Sequence, residues 1–289
     1  MNFFFFGMGY SSQAAARAIF ALDPAAVIGG TSRTPAGAAA LVARDISAHV
    51  FDGTAPGHTI GIELRNATHV VFSIAPGEAG DPALLHHRAD LDAAPNLAWL
   101  CYYSTVGVYG DFGGAWIDES APLAPRNARS DRRVLAEQAW RDYASARGVP
   151  LAILRLAGIY GPGRSTFEKL AEGSARRLVK PGQVFNRIHV ADIGRITALA
   201  AERRLDGTFN LADDEPAPPQ DLVAHAAAMM GMPAPAELAF ETAELTPMQR
   251  SFYADNKRVS NAAIKQALGI ELLFPNYRDG LTDCFESLK

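Results

Sequence analysis

The chain has 289 residues, of which 48% are hydrophobic, so it can bury a large core in one domain or in a domain with a smaller lobe. Its net charge of -4, without a long basic run, argues against a nucleic-acid surface and favours a small-molecule ligand. No stretch approaches the roughly 20 apolar residues of a membrane span, and Cys101 and Cys284 lack metal or redox spacing, so we expect a cytoplasmic protein with buried thiols.

The four phenylalanines at 3–6 are consistent with either an export signal or a buried strand. An export signal needs a positive leader and an apolar run of roughly 7–15 residues. Here no lysine or arginine precedes the run, and Gly7 ends it. We therefore predict that residues 3–6 form the first buried strand and lead into a glycine turn.

Short apolar runs alternate with alanine-rich stretches through the first half of the chain, which is typical of repeated β-α units. The predicted strands are 3–6, 25–28, 48–51, 70–74, 97–103 and 151–156, and the predicted helices between them are 12–22, 35–44, 59–65, 81–92 and 127–147. This order predicts an α/β fold with a doubly wound parallel sheet.

The second half of the chain is less regular. We predict one more strand at 207–211 and helices at 190–203, 220–230, 260–268 and 276–288, and the proline-rich stretch 213–221 should connect the sheet to a C-terminal lobe. The predicted domains are therefore 1–160, to which strand 207–211 returns, and a smaller lobe made mainly of 161–289.

The turn after the first strand has the composition of a phosphate-binding loop. Gly7 permits a tight backbone, Gly9 lets a pyrophosphate approach the main chain, and the amides at the helix start, around Tyr10 and Ser11, complement its negative charge. Ser12 replaces the third glycine of the G-x-G-x-x-G fingerprint and is still small. The alternative is an ordinary turn between a strand and a helix.

The second strand ends without the carboxylate that usually binds the ribose 2′-hydroxyl of NAD. Thr31, Ser32 and Arg33 stand there instead, and an arginine with two hydroxyls suits a 2′-phosphate through charge-assisted hydrogen bonds. We therefore expect NADP in preference to NAD. The alternative is that Arg33 only caps the next helix.

Several segments taken together resemble the extended short-chain dehydrogenase/reductase family, which includes nucleotide-sugar epimerases and dehydratases. Besides the glycine turn, they are STVGVYG at 104–110, LRLAGIYGPG at 154–163, RIHVADIG at 187–194 and GTFNLADDEP at 207–216. The resemblance implies a Rossmann NAD(P)-binding domain and a smaller C-terminal lobe that closes a substrate cleft over the nicotinamide.

The resemblance also implies the catalytic positions. The family's reactive hydroxyl corresponds to Thr105, with Ser104 beside it, whereas the positions of the family's Tyr-x-x-x-Lys pair, counted back from Glu137, hold Arg129 and Arg133. A guanidinium has a pKa above about 12 and accepts no hydrogen bond, so Arg129 cannot move a proton as tyrosine does. Arg133 can still donate hydrogen bonds to the cofactor ribose.

Two interpretations of the arginines stay open. Arg126, Arg129 and Arg133 follow helical spacing and could form a cationic wall, or they could form a solvated face on which Arg133 pairs with Glu137. A replacement acid or base could be one of four residues in nearby motifs: Tyr103, Tyr109, Tyr160 or His189.

Further residues are candidate ligand contacts. Asp52 resembles the position that hydrogen-bonds the adenine amino group, or it only initiates a turn before Gly53. The stretch that contains Ser73, Ala75 and Pro76 should pass beside the adenosine ribose and the pyrophosphate. Arg164 and His189 are candidate substrate contacts, Arg164 for an anionic group. We read His86 and His87 as part of a surface helix and not as a metal site.

Two functions fit these residues. The first is an NADP-dependent oxidoreductase or epimerase-like enzyme for a small polar substrate, in which Thr105 polarises the reacting oxygen. The alternative is a non-catalytic NADP(H)-binding sensor, favoured by the missing tyrosine. Family analogy also predicts a homodimer through the helix that carries Trp140 and Tyr143, unless these aromatics face the sheet.

Overall fold

The computed structural model describes the backbone of residues 1–289 and all side chains apart from that of Met248. In chain order the strands are β1 (Asn2–Phe6), β2 (Val27–Ser32), β3 (Ser47–Val50), β4 (His69–Phe72), β5 (Trp99–Thr105), β6 (Trp116–Ile117), β7 (Leu151–Leu156), β8 (Gly158–Tyr160), β9 (Arg177–Val179), β10 (Arg187–His189), β11 (Gly207–Leu211), β12 (Glu237–Ala239) and β13 (Arg258–Val259).

The helices are α1 (Tyr10–Leu22), α2 (Pro35–Val42), α3 (Ile60–Asn66), α4 (Pro82–Asp92), α5 (Ala128–Arg147), α6 (Thr166–Ala171), α7 (Val190–Glu202), α8 (Pro219–Met229), α9 (Pro247–Phe252), α10 (Ala262–Leu268) and α11 (Tyr277–Glu286). A 3-10 turn, Val106–Tyr109, follows β5. None of the helices in the described part of the chain combines the length and the apolar character that crossing a membrane requires.

Seven strands form the central sheet in the order β11-β7-β5-β4-β1-β2-β3. β1 pairs in parallel with β2 on one side and with β4 on the other, and the order reverses at this central strand. Reversal of the strand order beside β1 is the switch point of a Rossmann sheet, where dinucleotides bind. The predicted doubly wound α/β fold is confirmed.

The chain divides into two compact units. The first contains Met1–Val108, Pro125–Arg155 and Ile193–Phe209, and the second contains Tyr109–Ala124, Leu156–Asp192 and Asn210–Lys289. The first therefore holds the glycine turn and most of the sheet. In the second, short parallel pairs join β8 to β10, β9 to β12 and β6 to β13, and an apolar cluster forms around Phe167 and Leu281.

The core of the first unit explains the opening phenylalanines. Phe4 and Phe6 point to one face of the sheet, where Phe6 stacks on Phe72, and Phe72 stacks on Trp140 with ring centroids 3.7 Å apart. All four phenylalanines of β1 are buried because a central parallel strand is covered on both faces. The prediction of a buried first strand is confirmed.

The second strand lies further along the chain than predicted. It covers Val27–Ser32 instead of 25–28, and it includes Gly29 and Gly30, which follow the predicted strand. A Cβ on Gly30 would lie 2.9 Å from the Phe5 carbonyl oxygen and overlap the Met8 side chain, and one on Gly29 would lie 3.3 Å from the Phe4 ring. These glycines are therefore strand residues that make room for bulky neighbours.

Candidate functional site

The glycine turn has the geometry of an anion site. Gly7 has φ +94°, and a Cβ there would lie 2.9 Å from Ile74 Cγ2, so only glycine fits. Gly9 is the N-cap of α1, whose first turn has neither a side-chain cap nor an acidic residue. A Cβ on Gly9 would meet nothing within 4 Å. The N-terminus of α1 therefore has space beside Gly9 and no nearby acidic side chain in its first turn, which suits a phosphate group.

Thr31 holds this turn in place. Its hydroxyl accepts a hydrogen bond from the Gly7 amide at 2.8 Å, and its carbonyl accepts one from the Met8 amide at 2.8 Å. Because Thr31 is only 1% exposed, the prediction that it binds a 2′-phosphate is wrong. Ser12 is fully buried, as close packing of α1 on the sheet requires, and Ser11 is buried as well.

Arg33 follows β2 directly and is exposed. The alternative that it caps the next helix is wrong, because the Thr34 hydroxyl caps α2 by accepting a hydrogen bond from the Gly37 amide at 3.1 Å. Ser32 is half-buried beside it, and its hydroxyl fills the space that a side chain at position 37 would need. Arg33 thus remains the candidate for the 2′-phosphate.

Asp52 forms the predicted turn after β3. One carboxylate oxygen accepts hydrogen bonds from the Thr54 amide at 2.9 Å and from the Thr54 hydroxyl at 2.7 Å. These bonds lower the pKa of Asp52, so it is ionised at neutral pH. After β4, the Ser73 amide donates to the Phe6 carbonyl oxygen at 2.9 Å, and Ala75 is exposed while Pro76 is buried.

The two predicted catalytic hydroxyls have different environments. Ser104 is 5% exposed, and its hydroxyl donates to the Glu137 carboxylate at 2.5 Å. The prediction that Ser104 acts in catalysis is therefore wrong, because its hydroxyl is already bound inside the unit. Thr105 is half-buried at the end of β5 and accepts a hydrogen bond from the Gly107 amide at 3.1 Å, which leaves its hydroxyl proton available to donate.

Arg133 lies against β5 and does not pair with Glu137. Its Nη1 donates to the Tyr102 hydroxyl at 3.0 Å and to the Tyr103 carbonyl oxygen at 2.7 Å. Glu137 binds Arg155 instead, with Arg155 Nη2 at 2.7 Å from Oε2 and Nε at 3.1 Å from Oε1. The predicted Arg133–Glu137 pair is wrong, since a buried bidentate pair occupies the carboxylate.

The predicted row of three helical arginines is also wrong. Asn127 is the N-cap of α5, so Arg126 precedes the helix. Arg129 is exposed on the first turn and Arg133 is half-buried on the second. Trp140 and Tyr143, which we predicted could lie in a dimer interface, are buried in the core of the first unit. The alternative, that these aromatics face the sheet, is confirmed.

Each of the four candidate replacements for the catalytic tyrosine already has a partner within the chain; for Tyr160, the hydroxyl donates to the Asn276 carbonyl oxygen at 3.4 Å. Tyr103 lies 2.8 Å from the Thr197 hydroxyl, and Tyr109 donates to Asn210 at 2.7 Å. Burial raises the pKa values of Tyr103 and Tyr160. Burial also lowers the pKa of His189 to about 4; its Nδ1 accepts from the Ala191 amide and its Nε2 lies 3.3 Å from Asp283.

His189 is therefore a structural residue of the second unit, and the prediction that it contacts substrate is wrong. Arg164 is exposed between β8 and α6, and its main chain forms a bridge with Gly161. The role of Arg164 with an anionic substrate group stays a prediction.

The prediction that both neighbouring histidines lie on a surface is wrong for one of them. His87 is 1% exposed, and its Nδ1 lies 2.8 Å from Asp90 Oδ2. The sequence placed it on an exposed helix because nothing local indicates that the loop 52–58 covers it. Among the described residues, no group of three or more potential ligands could hold a metal ion.

Sequence reasoning missed Asp213, which follows β11 in a stretch read as a linker. It is 1% exposed, and no hydrogen-bond partner for either carboxylate oxygen is found among the described residues. Burial raises its pKa to about 8, although the Arg187 guanidinium opposes this. Arg187 itself donates to the carbonyl oxygens of Phe185 and Ala217, each at 3.1 Å. An acidic group that follows a strand end was the only sequence signal.

Comparisons with known proteins identify relatives. Residues 91–212 match the model of the NAD dependent epimerase/dehydratase family. A functionally unknown conserved protein from Silicibacter pomeroyi DSS is 43% identical, with 99% of this chain and 98% of that chain covered and a TM-score of 0.89. UDP-glucuronic acid 4-epimerase from Bacillus cereus, solved in complex with NAD, is 17% identical, with 100% of both chains covered and a TM-score of 0.75, a likeness that shows the fold alone.

One curated relative has a named activity. The 3-diazoavenalumate denitrifying reductase from a Streptomyces species is 28% identical over 140 residues, which span 45% of this chain and 45% of that protein. The matched segment is therefore less than half the length of the reductase.

Proposed function

Since the chain belongs to the NAD-dependent epimerase/dehydratase family, we propose that it is an NADP(H)-binding oxidoreductase of the epimerase/dehydratase type acting on a small polar substrate. One observation carries the proposal: α1 has Gly9 as its N-cap, with neither a side-chain cap nor an acidic residue in its first turn, and a Cβ on Gly9 would meet nothing within 4 Å. A glycine turn at a helix N-terminus, with no acidic residue in the first helical turn, suits a pyrophosphate in both charge and hydrogen bonding.

The choice of NADP rests on charge. No carboxylate occupies the end of β2, where one would accept a hydrogen bond from a ribose 2′-hydroxyl and repel a 2′-phosphate. Arg33 is exposed at that position and brings a guanidinium that binds phosphate by two parallel hydrogen bonds. Asp52, held by Thr54, is assigned to the adenine amino group.

A bound nicotinamide supplies the hydride acceptor or donor. Around it, the chain supplies orientation and polarisation: Arg133 is held on β5 by Tyr102 and Tyr103 and presents its remaining N–H groups to the nicotinamide ribose. Thr105 keeps a free hydroxyl proton, with which it polarises the reacting oxygen of the substrate. Arg164 is assigned to an anionic substrate group.

Isothermal titration calorimetry with NADPH and NADH tests the binding. Gly9→Val would place methyl groups in the open space without touching the fold and should abolish binding of both cofactors, whereas Ala40→Val on the exposed part of α2 should leave binding unchanged. No detectable heat from either cofactor with the unmodified protein would refute the proposal.

Turnover is tested by following NADPH absorbance at 340 nm with a panel of small carbonyl compounds. If the protein oxidises NADPH and the Thr105→Val variant does not, the result supports the proposed catalytic function. Tight binding of NADPH without turnover across the panel would favour the non-catalytic sensor instead.

A further inference from the structure

Two consecutive histidines of α4 bind both ends of the irregular loop 52–58, which connects β3 to α3. His86 Nε2 lies 3.1 Å from the Gly53 carbonyl oxygen, and the Gly57 amide donates to His87 Nε2 at 3.2 Å. A carbonyl only accepts a hydrogen bond and an amide N–H only donates one. His86 therefore carries a proton on Nε2, whereas His87 has none there.

The His87 ring is held by hydrogen bonds at both nitrogens and by contacts with two phenylalanine rings. Its Nδ1 donates to Asp90 Oδ2 at 2.8 Å, and its ring packs on Phe51 and Phe6 with centroids 5.1 Å and 5.5 Å away. The backbone of α4 leaves helical geometry at His87, with φ -126° and ψ 15°. The helix is thus distorted at the residue whose ring reaches the loop.

Asp90 lies against α3 at Gly61. A Cβ on Gly61 would overlap Asp90 Oδ1 and lie 2.9 Å from Asp90 Cγ, so the absence of a side chain at position 61 leaves room for this carboxylate. The chain of contacts runs from Gly61 through Asp90 and His87 to the Gly57 amide. Both ring nitrogens of His87 form hydrogen bonds, one with Asp90 and one with the Gly57 amide. A small shift of Asp90 therefore changes the hydrogen bond between His87 and the loop.

The loop begins with Asp52, the residue assigned to adenine. Its own bonds to Thr54 shape the first turn of the loop, but they do not anchor the loop to the rest of the unit. The side-chain anchors are His86 at Gly53 and His87 at Gly57, and the Ile60 amide of α3 donates to the Gly57 carbonyl oxygen at 3.3 Å. We propose that His86 and His87 are positioning residues of the dinucleotide site, which hold both ends of loop 52–58 and thereby fix Asp52 for the adenine.

This inference rests on the proposed function, because it needs a dinucleotide with its adenine at Asp52. It predicts that the two histidines act on one half of the ligand only. Removal of the Gly57 bond leaves a half-buried amide without this acceptor and lets the loop move. The adenine half should then bind less tightly, while the nicotinamide half, bound by other elements, should be unaffected.

His87→Phe and His87→Gln form a matched pair. Phenylalanine keeps the packing on Phe51 and Phe6 but accepts no hydrogen bond, whereas the glutamine side-chain carbonyl can still accept from the Gly57 amide. We expect His87→Phe to raise the Kd for NADPH and for adenosine 2′,5′-bisphosphate up to about tenfold, the upper end of what loss of one hydrogen bond costs. His87→Gln should recover most of this loss.

Reduced nicotinamide mononucleotide is the control ligand, and its Kd should not change in either variant. Hydrogen exchange gives a second readout without ligand: amides of residues 53–58 should exchange faster in His87→Phe than in His87→Gln. His86→Leu, at a half-buried position, should give a similar loss for the adenine ligands and keeps the test available if His87→Phe does not fold.

Equal weakening of both half-ligands, or a wild-type Kd for adenosine 2′,5′-bisphosphate in both His87→Phe and His86→Leu, would overturn the inference alone. If the unmodified protein bound no dinucleotide, the proposed function would fail and this inference with it.

Discussion

The Ser104 hydroxyl donates to the Glu137 carboxylate at 2.5 Å, and this bond ties the end of β5 to the middle of α5. The same carboxylate binds the Arg155 guanidinium of β7 in a bidentate pair. Removal of one partner from such a buried pair leaves the other charge buried without a partner, which destabilises the fold. The network thus fixes the strand end that presents Thr105 and the helix that presents Arg133.

The neighbouring hydroxyls should separate activity from stability. We expect Thr105→Val to lower kcat about 100-fold, as loss of a donor to a developing oxyanion does, and to change the melting temperature little. Ser104→Ala should leave kcat nearly unchanged and reduce the free energy of unfolding by about 1–3 kcal/mol, because Glu137 loses a buried donor. Steady-state kinetics and thermal denaturation measure the two effects.

Thr105→Ser is the matched control, since it retains the hydroxyl and should retain most of the activity. The assignment of Thr105 would be lost if Thr105→Val turned over substrate at the wild-type rate.

Cofactor preference should depend on one side chain. Arg33→Ala should weaken NADPH binding at least about tenfold and leave NADH binding almost unchanged, because only NADPH carries the 2′-phosphate that a charge-assisted pair would bind. Fluorescence titration of both cofactors measures this. Arg133→Leu is the contrasting variant: we propose that Arg133 binds the ribose that both cofactors share, so its loss should weaken both equally. An equal loss in Arg33→Ala would remove the 2′-phosphate assignment.

The fold was predictable from the sequence because its signals are local. Phe3 to Phe6 read as a strand buried on both faces, and a parallel sheet follows from the alternation of such runs with helices. The bounds of β2 were not predictable, because glycines usually indicate a turn. Gly29 and Gly30 lie in the strand because Phe4 and Met8 leave no room for a side chain at these positions. These neighbours come from a different part of the chain.

The glycine turn was predictable from the sequence because it depends on backbone conformation. The hydrogen-bond partners of the side chains near Thr105 were not predictable, because they depend on packing between distant elements. Gly7 is required by its positive φ, and Gly9 leaves open the space at the start of α1; the spacing of the two glycines indicates both features. The partners of Ser104 and Arg133 depend on how α5 lies on β5, and helical spacing alone suggested Glu137 as the partner of Arg133. Burial of His87 depends on a loop thirty residues earlier in the chain.

Asp213 should give stability a distinctive pH dependence. Burial raises its pKa in the folded protein to about 8, whereas the unfolded value is near 4. Between these values the folded protein binds the extra proton, so the contribution of Asp213 is greatest below about pH 4 and is lost as the pH rises to about 8. Asp213→Asn removes this loss.

The gain in melting temperature from Asp213→Asn over the wild type should therefore grow from pH 5 to pH 9. Asp221→Asn, at an exposed position of α8, should show no such trend. If Asp213→Asn instead lost stability as the pH rose, the Arg187 guanidinium would dominate over burial, and Asp213 would be ionised at neutral pH.

Gly61→Ala should destabilise the protein, although replacement of glycine by alanine in a helix usually stabilises it. Alanine normally stabilises a helix interior over glycine by roughly 0.5–1 kcal/mol. In α3, however, the new methyl group would overlap the Asp90 carboxylate, which must then move away from His87. We therefore expect Gly61→Ala to lower the free energy of unfolding, measured by urea denaturation.

A double-mutant cycle isolates this contact, because a shorter side chain at position 90 removes the overlap. In an Asp90→Ala background, where the His87 bond is already lost, Gly61→Ala should become stabilising by the ordinary helix increment. The change of sign between the two backgrounds is the expected result, since it requires the methyl group and the carboxylate to compete for one space. Stabilisation by Gly61→Ala in both backgrounds would show that Asp90 moves at no cost, and the fixed position of His87 would then have to come from Phe6 and Phe51 alone.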